Sequence, residues 1–408
     1  MALSAVRKRE PGHISRHDVW KQAYAVCVPR AQAGPIRIGE VNSYTAQPAF
    51  LQPYRNGWLL AQEALNAAGG IGGRPLETVF RDDAGRPEDA VRMAAELVEK
   101  ERVALLAGGF FSNVGLALSE YAHANRRLYV AGEPLADALV WSRGNRHTFR
   151  LRPSTYTQCS MLVEEAARLP ALRWATVAPN YEYGQSAARW FKELLGRARP
   201  DARFVAEQFP ALGGIDAGAT VQALLAANPD AIFNATFGAD LANFARQAAT
   251  RGLFERRQVV SLLAGEPEYL LPMLDEAPED WIVTGYPFDG LETPAHAAFR
   301  DAYARRWNDH PRLGSVVGHD TVRAIAAALR RAGGTGTDAL VDAMRGLRFQ
   351  GVFGEVEFRA LDHQSTMGAF VGRTVLRGGR GAMADWRYED GRDHLPNDDE
   401  VRRLRPEA

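Results

Sequence analysis

Six short segments of the sequence combine hydroxyl, amide, carboxylate and aromatic side chains, and each follows a hydrophobic run typical of a β-strand. They are residues 42–45 with Phe50 just beyond, 108–113, 132–135, 180–184, 236–238 and 265–269. Most are followed by an amphipathic segment typical of a helix. Polar groups beside helix N termini, with apolar rings next to them, suit the noncovalent binding of a small polar molecule. The sequence therefore predicts a binding site at these loops.

Motifs for covalent or nucleotide chemistry are missing from the sequence. The four lysines, Lys8, Lys21, Lys100 and Lys192, each lack the preceding glycine of a Walker A phosphate loop. The glycine-rich segment 69–73 lies between a predicted helix and the next strand, whereas a dinucleotide fingerprint lies between strand and helix. We interpret it as a helix end and turn.

Nucleophiles and metal ligands are equally sparse. Ser112 does not lie in a G-x-S-x-G elbow, because Phe110 occupies the first glycine position. Cys159 falls inside an amphipathic helix, as a small core residue would. Among the nine histidines only His13 and His17 are close in sequence. The sequence thus predicts a protein that is not an enzyme and needs no cofactor or metal.

From residue 36 onward, short β-rich runs alternate with amphipathic segments of 10 to 17 residues or so, the pattern of a parallel sheet covered by helices. Predicted strands are 36–41, 76–81, 103–107, 128–131, 173–178, 203–209, 230–234, 258–262 and 281–284. Predicted helices include 56–68, 87–100, 113–124, 157–168, 184–197, 217–227, 239–252, 294–308, 318–332 and 337–346. Nine such repeats exceed one six-stranded sheet, so we expect two doubly wound α/β lobes.

The end of the chain has a different pattern. Residues 354–358 and 367–376 resemble two strands in hairpin spacing, and the charged segment from Asp390 onward is expected to be a solvated tail. The whole chain of 408 residues carries 49 basic and 49 acidic residues, which predicts no nucleic-acid partner. No apolar run approaches the roughly 20 residues that span a bilayer.

The first 33 residues show no strand or helix pattern. They are basic and end in Ala31-Gln32-Ala33, which resembles a signal-peptidase site, but their apolar stretch is shorter than a signal peptide requires. Two interpretations stay open: an export leader of a periplasmic protein, or a disordered arm of a cytoplasmic one.

Several motifs, in this order, resemble the type I periplasmic solute-binding proteins of the branched-chain amino acid (Leu/Ile/Val-binding) ABC importer class. They are residues 65–76, Asp82-Asp83, 180–185, 228–233, His319-Asp320-Thr321 and 349–358. The resemblance implies two lobes joined by three hinge crossovers, near residues 149–150, 283–284 and 351–352. The lobes would comprise 34–150 with 284–350 and 151–283 with 351–390, leaving 391–408 as the tail. It also implies two partners, a small-molecule ligand held between the lobes and the membrane permease of an ABC importer.

The same resemblance implies roles for individual residues. Ser112, with neighbouring backbone N–H groups around Phe111 and Asn113, falls where the family holds a ligand carboxylate. Leu135 replaces the usual threonine and Glu133 a backbone-contact position, so this sequence loses a hydroxyl and gains a carboxylate. The remaining expected contacts are aromatic positions and the family's ammonium-binding acid, namely Tyr183, Phe237, Phe50 and Glu266 or Glu268.

Each of these residues also has a structural interpretation. Ser112 precedes a predicted helix and is a suitable N-cap. Glu133, before Pro134, could be a solvated turn residue. Tyr183 could pack on the following helix, and Phe237, Phe110 and Phe111 could form core or cavity wall. A cytoplasmic amide sensor of the same fold is the alternative to an importer component.

Overall fold

The strands of the protein form two large sheets and one small one. The computed structural model describes residues 34–405, which from Pro35 onward form one unit. The strands are β1 (Ile36–Asn42), β2 (Leu76–Asp82), β3 (Leu105–Gly108), β4 (Tyr129–Ala131), β5 (Thr148–Arg150), β6 (Arg173–Val177), β7 (Arg203–Gln208), β8 (Ala231–Asn234), β9 (Gln258–Gly265), β10 (Ile282–Gly285), β11 (Arg348–Gln350), β12 (Glu355–Glu357), β13 (Ala369–Arg377) and β14 (Arg380–Glu389).

Helices connect almost all of these strands. They are α1 (Pro48–Ala67), α2 (Pro87–Glu99), α3 (Ser112–Ala124), α4 (Thr155–Ala166), α5 (Glu182–Ala198), α6 (Ala217–Ala227), α7 (Gly238–Thr250), α8 (Pro267–Leu270), α9 (Pro294–Trp307), α10 (Leu313–Ala332), α11 (Thr337–Met344) and α12 (Asp398–Leu404). Three short 3₁₀ helices span Asp137–Leu139, Leu271–Glu276 and Gly391–His394. All nine strands and ten helices expected before residue 350 are present, most with ends within a few residues of the prediction.

The first sheet has the order β2-β1-β3-β4-β5 and is parallel throughout. The second has the order β14-β13-β10-β9-β8-β6-β7, and its antiparallel pairs are β10 with β13 and β13 with β14. Every residue of β3, β4, β5, β8 and β10 is buried. Strands buried on both faces are typical of parallel sheets covered by helices. The expected α/β class with two sheets is confirmed.

Two helix glycines bring α1 and α10 into close contact on the first sheet. A Cβ at Gly57 would lie 1.9 Å from the Ser315 carbonyl oxygen, and one at Gly318 would lie 2.0 Å from that of Tyr54. Any larger residue would force the helices apart. This close packing places the N-terminal ends of both helices, with Phe50 and Gly314, toward the second sheet.

The chain passes between the sheets three times. It leaves the first sheet after β5, runs after β10 into α9 and α10, which pack against α1 of the first sheet, and re-enters the second sheet at β13. Thr284 and Gly285 still pair with β13. Gln364 forms a bridge with Arg150 beside β5. The general path matches the expected crossovers, while the exact lobe boundaries remain a prediction.

The strands predicted at 354–358 and 367–376 are present as β12 and β13, but they do not form the predicted hairpin. Strand β12 pairs instead with β11, and β13 pairs with β14, a strand that the sequence interpretation missed. The turn between β13 and β14 is Gly378-Gly379, both with positive φ. Two such glycines fit a type I′ turn, which favours a β-hairpin, so the sequence did contain a signal for β14. The charged residues of β14 made that signal hard to recognise.

The expected solvated tail is also wrong. Helix α12 buries Val401 completely, and His394 is 4% exposed. The guanidinium of Arg405 donates to the carbonyl oxygens of Val140, Asn145 and Asp362. These contacts fix the tail to the rest of the chain, because three carbonyls gain a charged donor.

Candidate functional site

A small cavity lies where the carboxyl ends of the two sheets face each other. Its volume is about 20 Å³, roughly the space that one water needs. The loops after β3 and β4 line one side, those around β6, β8 and β9 line the other, and one residue comes from the segment between β5 and α4. The lining residues are Phe110, Ser112, Glu133, Leu135, Arg152, Tyr181, Tyr183, Phe237, Leu263 and Tyr269.

Ser112 is the first residue of α3 and is 2% exposed. Phe111 is the N-cap, and no side chain caps the helix. The Ser112 hydroxyl instead accepts a hydrogen bond from the Ala136 backbone N–H at 3.1 Å. The capping interpretation is therefore wrong, and the hydroxyl ties the loop after β3 to the loop after β4.

Buried charges join the two sides of the cavity through Arg152. Its Nη1 donates to Glu133 Oε2 at 3.1 Å, and its Nη2 donates to Glu266 Oε1. Next to this pair, Glu268 Oε1 accepts from the Gly314 backbone N–H at 2.6 Å. All four side chains belong to residues no more than 3% exposed. The interpretation of Glu133 as a solvated turn residue is thus wrong.

Three carboxylates share this region with the Arg152 guanidinium, and each has one oxygen without a hydrogen-bond partner among residues 34–405. These oxygens are Glu133 Oε1, Glu266 Oε2 and Glu268 Oε2. A buried polar atom without a partner costs free energy, which a suitable ligand group can recover. The cluster is therefore a candidate for ligand contact.

Burial also controls the titration of this cluster. It raises the pKa of Glu133 to about 8 and that of Glu266 to about 8, although Arg152 opposes both shifts. Burial raises the pKa of Glu268 as well. For Arg152, burial alone would lower the pKa, but Glu266 and Glu133 raise it above its usual range. Arg152 is therefore charged, while a pKa of about 8 leaves Glu133 and Glu266 largely protonated below that pH.

Aromatic rings form most of the remaining wall. The ring of Phe237 lies 6.2 Å from Phe110, 5.8 Å from Tyr183 and 6.0 Å from Tyr269, measured between centroids. Behind them, Phe50 lies 5.4 Å from Phe110, and the Arg152 guanidinium is 5.4 Å from the Phe50 ring. Both sides thus supply rings: Phe50 and Phe110 come from the first sheet's connections, and Tyr183, Phe237 and Tyr269 from those of the second.

The structure brings most of the residues expected at the site together. Five of them line the cavity: Ser112, Glu133, Leu135, Tyr183 and Phe237. Glu266, Glu268 and Phe50 lie beside it, through the contacts described above. Phe111 packs outside it against Phe110 and Tyr181, and Asn113 is exposed. Ligand binding by any of these residues remains a prediction.

Sequence analysis did not identify Arg152, Tyr181, Leu263 or Tyr269 as cavity residues. Arg152 lies in a connecting segment rather than after a strand, so the rule that ligands bind at carboxyl ends of strands does not find it. Tyr181 and Tyr269 did lie within the loops that the sequence singled out. No sequence pattern pointed to Arg152, because its carboxylate partners Glu133 and Glu266 lie 19 and 114 positions away along the chain.

Other chemical sites are not evident between residues 34 and 405. No group of three or more His, Cys, Asp and Glu side chains in this range could hold a metal ion. Cys159 is fully buried in α4, as expected of a core residue. No helix in this part of the chain is long and apolar enough to cross a membrane. The pair His13 and His17 and the signal-peptidase-like segment lie outside the described residues.

Known proteins of similar sequence and fold are solute-binding proteins. A Leu-, Ile-, Val-, Thr- and Ala-binding protein of Pseudomonas aeruginosa is 25% identical over 327 residues, covering 78% of this chain and 84% of that protein. An ABC-transporter solute-binding protein of Rhodopseudomonas palustris BisB5, solved with 3,4-dihydroxybenzoic acid, has a TM-score of 0.79 at 21% identity, covering 88% of this chain and 98% of that one.

A leucine-binding protein of Thermotoga maritima has a TM-score of 0.75 at 19% identity, covering 86% of this chain and 98% of that one. At such identities these structures establish the fold, that of type I periplasmic binding proteins. The family model described as "Periplasmic binding protein" matches residues 35–380. Since this match takes in the cavity and, apart from β14, every strand of the two large sheets, the protein belongs to the periplasmic-binding-protein family.

Proposed function

We propose that the protein is the extracytoplasmic solute-binding component of an ABC importer. It captures a small polar organic solute between its two sheets and presents it to a membrane permease. The observation that carries the proposal is the cavity at the facing carboxyl ends of both sheets, lined by residues of each. The candidate solutes are an amino acid, an amide or urea-like compound, or an aromatic carboxylate. Relatives named for amino acids and for an aromatic acid support this range.

Capture works by closure of the two halves and involves no covalent step. A solute that contacts Glu133 on one side and Tyr183 on the other makes both sets of contacts only when the halves are together. It therefore shifts the equilibrium toward the closed form by its differential affinity for that form. The cavity of about 20 Å³ is far below the roughly 300 Å³ of small-molecule pockets, so entry requires the halves to separate.

Arg152 is suited to the closing movement. It lies in the segment between β5 and α4 and contacts Glu133 after β4 and Glu266 after β9. Because Arg152 pairs with a carboxylate on each side, it favours the closed form even without ligand. The carboxylate oxygens that Arg152 does not contact could accept hydrogen bonds from a ligand. Closure then depends on both the ion cluster and the solute.

A thermal-shift screen of the full chain against amino acids, amides and aromatic acids tests the proposal. A ligand at 100 times its Kd adds about 2.7 kcal/mol to the free energy of unfolding. Small-angle scattering with the best ligand should give a smaller radius of gyration than the free protein. Equal radii for free and saturated protein would contradict capture by closure.

Location distinguishes this proposal from its alternative, a cytoplasmic amide-type sensor of the same fold. The short apolar stretch of residues 23–28 favours the alternative, while Ala31-Gln32-Ala33 favours export. Fractionation of cells that express the full chain decides between them. We expect the protein in the periplasm, shortened at its N terminus, and recovery of the intact chain in the cytoplasm would support the sensor.

A further inference from the structure

We propose that the solute captured in this cavity is a small organic cation, an ammonium group on an apolar body without a carboxylate. The inference rests on the proposed function, because it names the class of solute for the same cavity. It separates this protein from relatives that are named for amino acids or solved with aromatic acids.

Among residues 34–405, no cationic side chain that lines the cavity is available to bind a ligand carboxylate. Glu133, Glu266 and Glu268 face a single guanidinium, and both terminal nitrogens of Arg152 already donate to carboxylates. A ligand carboxylate would have to compete with them, and wherever these carboxyl groups are ionised it would meet like charges in a region of low dielectric, which is unfavourable. An ammonium group would instead balance the excess of negative charge.

Helix N termini do not reverse this conclusion. Helices α5 and α7 carry Glu182 and Asp240 in their first turns, which offset their positive ends. Only α3, with no acid in its first turn, presents an uncompensated N terminus at the cavity. That end is equivalent to about half a positive charge, less than the two negative charges that remain when all three carboxylates beside Arg152 are ionised.

Hydrogen-bonding capacity in the lining also fits a donor. Glu133 is 2% exposed, lines the cavity, and has no partner for Oε1. The Tyr183 hydroxyl in the same wall also has no partner within the described part of the chain, and it can accept from an ammonium group as well as donate. Ser112 already accepts from Ala136, and Leu135 offers no hydrogen bond. An N–H of the ligand would satisfy the carboxylate, whereas a carboxylate would leave Oε1 unsatisfied.

The rings supply the other half of the recognition. Phe110, Tyr181, Tyr183, Phe237 and Tyr269 line the cavity. Ring faces attract cations through their quadrupole and bury an apolar body favourably. Acid and rings together therefore suit an alkylamine or arylalkylamine, with its charge near Glu133 and its body among the rings.

Matched ligands test the inference on the wild-type full chain. Calorimetric titrations compare isopentylamine, leucine and 4-methylpentanoate, and likewise 2-phenylethylamine, phenylalanine and 3-phenylpropanoate. Each trio shares a carbon skeleton and differs in its charged groups. We expect at least one amine to bind about tenfold or more tighter than its amino acid and its acid. If every amine binds no better than its partners, or if none of the six binds, the inference is overturned.

A variant locates the contact. Glu133→Gln should weaken binding of the better amine by about 5-fold to 150-fold, while Glu292→Gln, in the exposed loop before α9, should leave it unchanged. Circular dichroism and the melting temperature verify that both variants fold. Equal affinity of wild type and a folded Glu133→Gln would overturn the role of this carboxylate, and the wild-type titrations test the ligand class even if the variant misfolds.

The same measurements separate this inference from the proposed function. If an amino acid or aromatic acid binds more tightly and reduces the radius of gyration, the protein is a capture protein for another solute class and only the inference fails. If the amine binds without any change in radius, capture by closure fails while the ligand class stands.

Discussion

Glu40 in β1 and Glu133 just after β4 are both buried, and each carboxyl group has lost its hydration by water. The two differ in the hydrogen bonds that replace that hydration. Burial raises the pKa of each to about 8. Glu40 has a donor on each oxygen, Asn42 at 3.1 Å and the Tyr44 hydroxyl at 2.7 Å. Glu133 has Arg152 on one oxygen and no partner on the other. Burial and titration alone therefore do not identify a binding residue. The unsatisfied oxygen beside a cavity is what makes Glu133, and not Glu40, a candidate for ligand contact.

The largest loss of stability is expected on replacing Arg152, the charged partner that Glu133 has and Glu40 lacks. Arg152→Met leaves Glu133 and Glu266 buried without a counter-charge, so we expect the free energy of unfolding to fall by about 3–5 kcal/mol near pH 8. Urea unfolding measures this. The loss should shrink at lower pH, because the carboxylates then carry protons.

Arg126→Met is the matched control for that variant. Arg126 pairs with Asp338 on the surface, and both side chains are more than half exposed, at 73% and 55%. Removing such a pair should change the free energy of unfolding by no more than about 1 kcal/mol. A similar loss in both variants would show that the buried cluster has no special part in stability.

The second prediction concerns the pH dependence of binding. A cation binds the ionised carboxylates, so below a pKa of about 8 for Glu133 and Glu266 a proton must leave on binding. Affinity for 2-phenylethylamine should therefore rise with pH, by up to about tenfold per unit for each proton released, and level off above that pKa.

The groups that face Glu133 are Arg152, Glu266, Glu268, Tyr54 and Tyr269. Arg152 and the two tyrosines have pKa values above their usual ranges and do not titrate in this interval. Calorimetry in two buffers of different ionisation enthalpy counts the protons released. An affinity that is constant between about pH 6 and pH 8 would mean that no carboxylate of the cluster meets the ligand.

The third prediction is that replacing Glu40 mainly lowers stability, whereas replacing Glu133 mainly lowers affinity for the ligand. Glu40→Gln replaces one acceptor oxygen by a donor facing Asn42 or Tyr44, so stability should fall by about 1–3 kcal/mol with little change in affinity. Glu133→Gln should weaken amine binding while costing less stability than Glu40→Gln, because Arg152 keeps Glu266. Melting curves and titrations of both variants check this. The same pattern of effects in both would remove the distinction between them.

The smallest effect is expected at Ser112. Ser112→Ala removes the acceptor of the Ala136 N–H, and stability should fall by about 1 kcal/mol. Affinity for an amine should hardly change, since the hydroxyl already has a structural partner. If the free energy of binding instead becomes less favourable by about 1–3 kcal/mol, Ser112 contacts the ligand, as the family resemblance implies.

Local patterns predicted most of the elements before residue 350, because each is encoded by short-range periodicity and by turn residues. The glycine-rich segment 69–73 is indeed a turn between α1 and β2, and Cys159 is a core residue. Prediction failed where an element depends on distant partners. The polar helix α12 is held through Arg405 by carbonyls more than 40 positions away, a contact that no local pattern encodes.

The candidate site divides in the same way. The sequence alone determined the strand-to-helix loops and hence the positions of Ser112, Glu133, Tyr183 and Phe237, because in parallel sheets these loops gather at one edge. The tertiary structure alone decided that Glu133 is buried, that it shares Arg152 with Glu266, and that one of its oxygens has no partner. The sign of the charge in the cavity depends on which groups from three separate stretches of chain meet, and Coulomb energies depend on distances in space rather than on separation along the sequence.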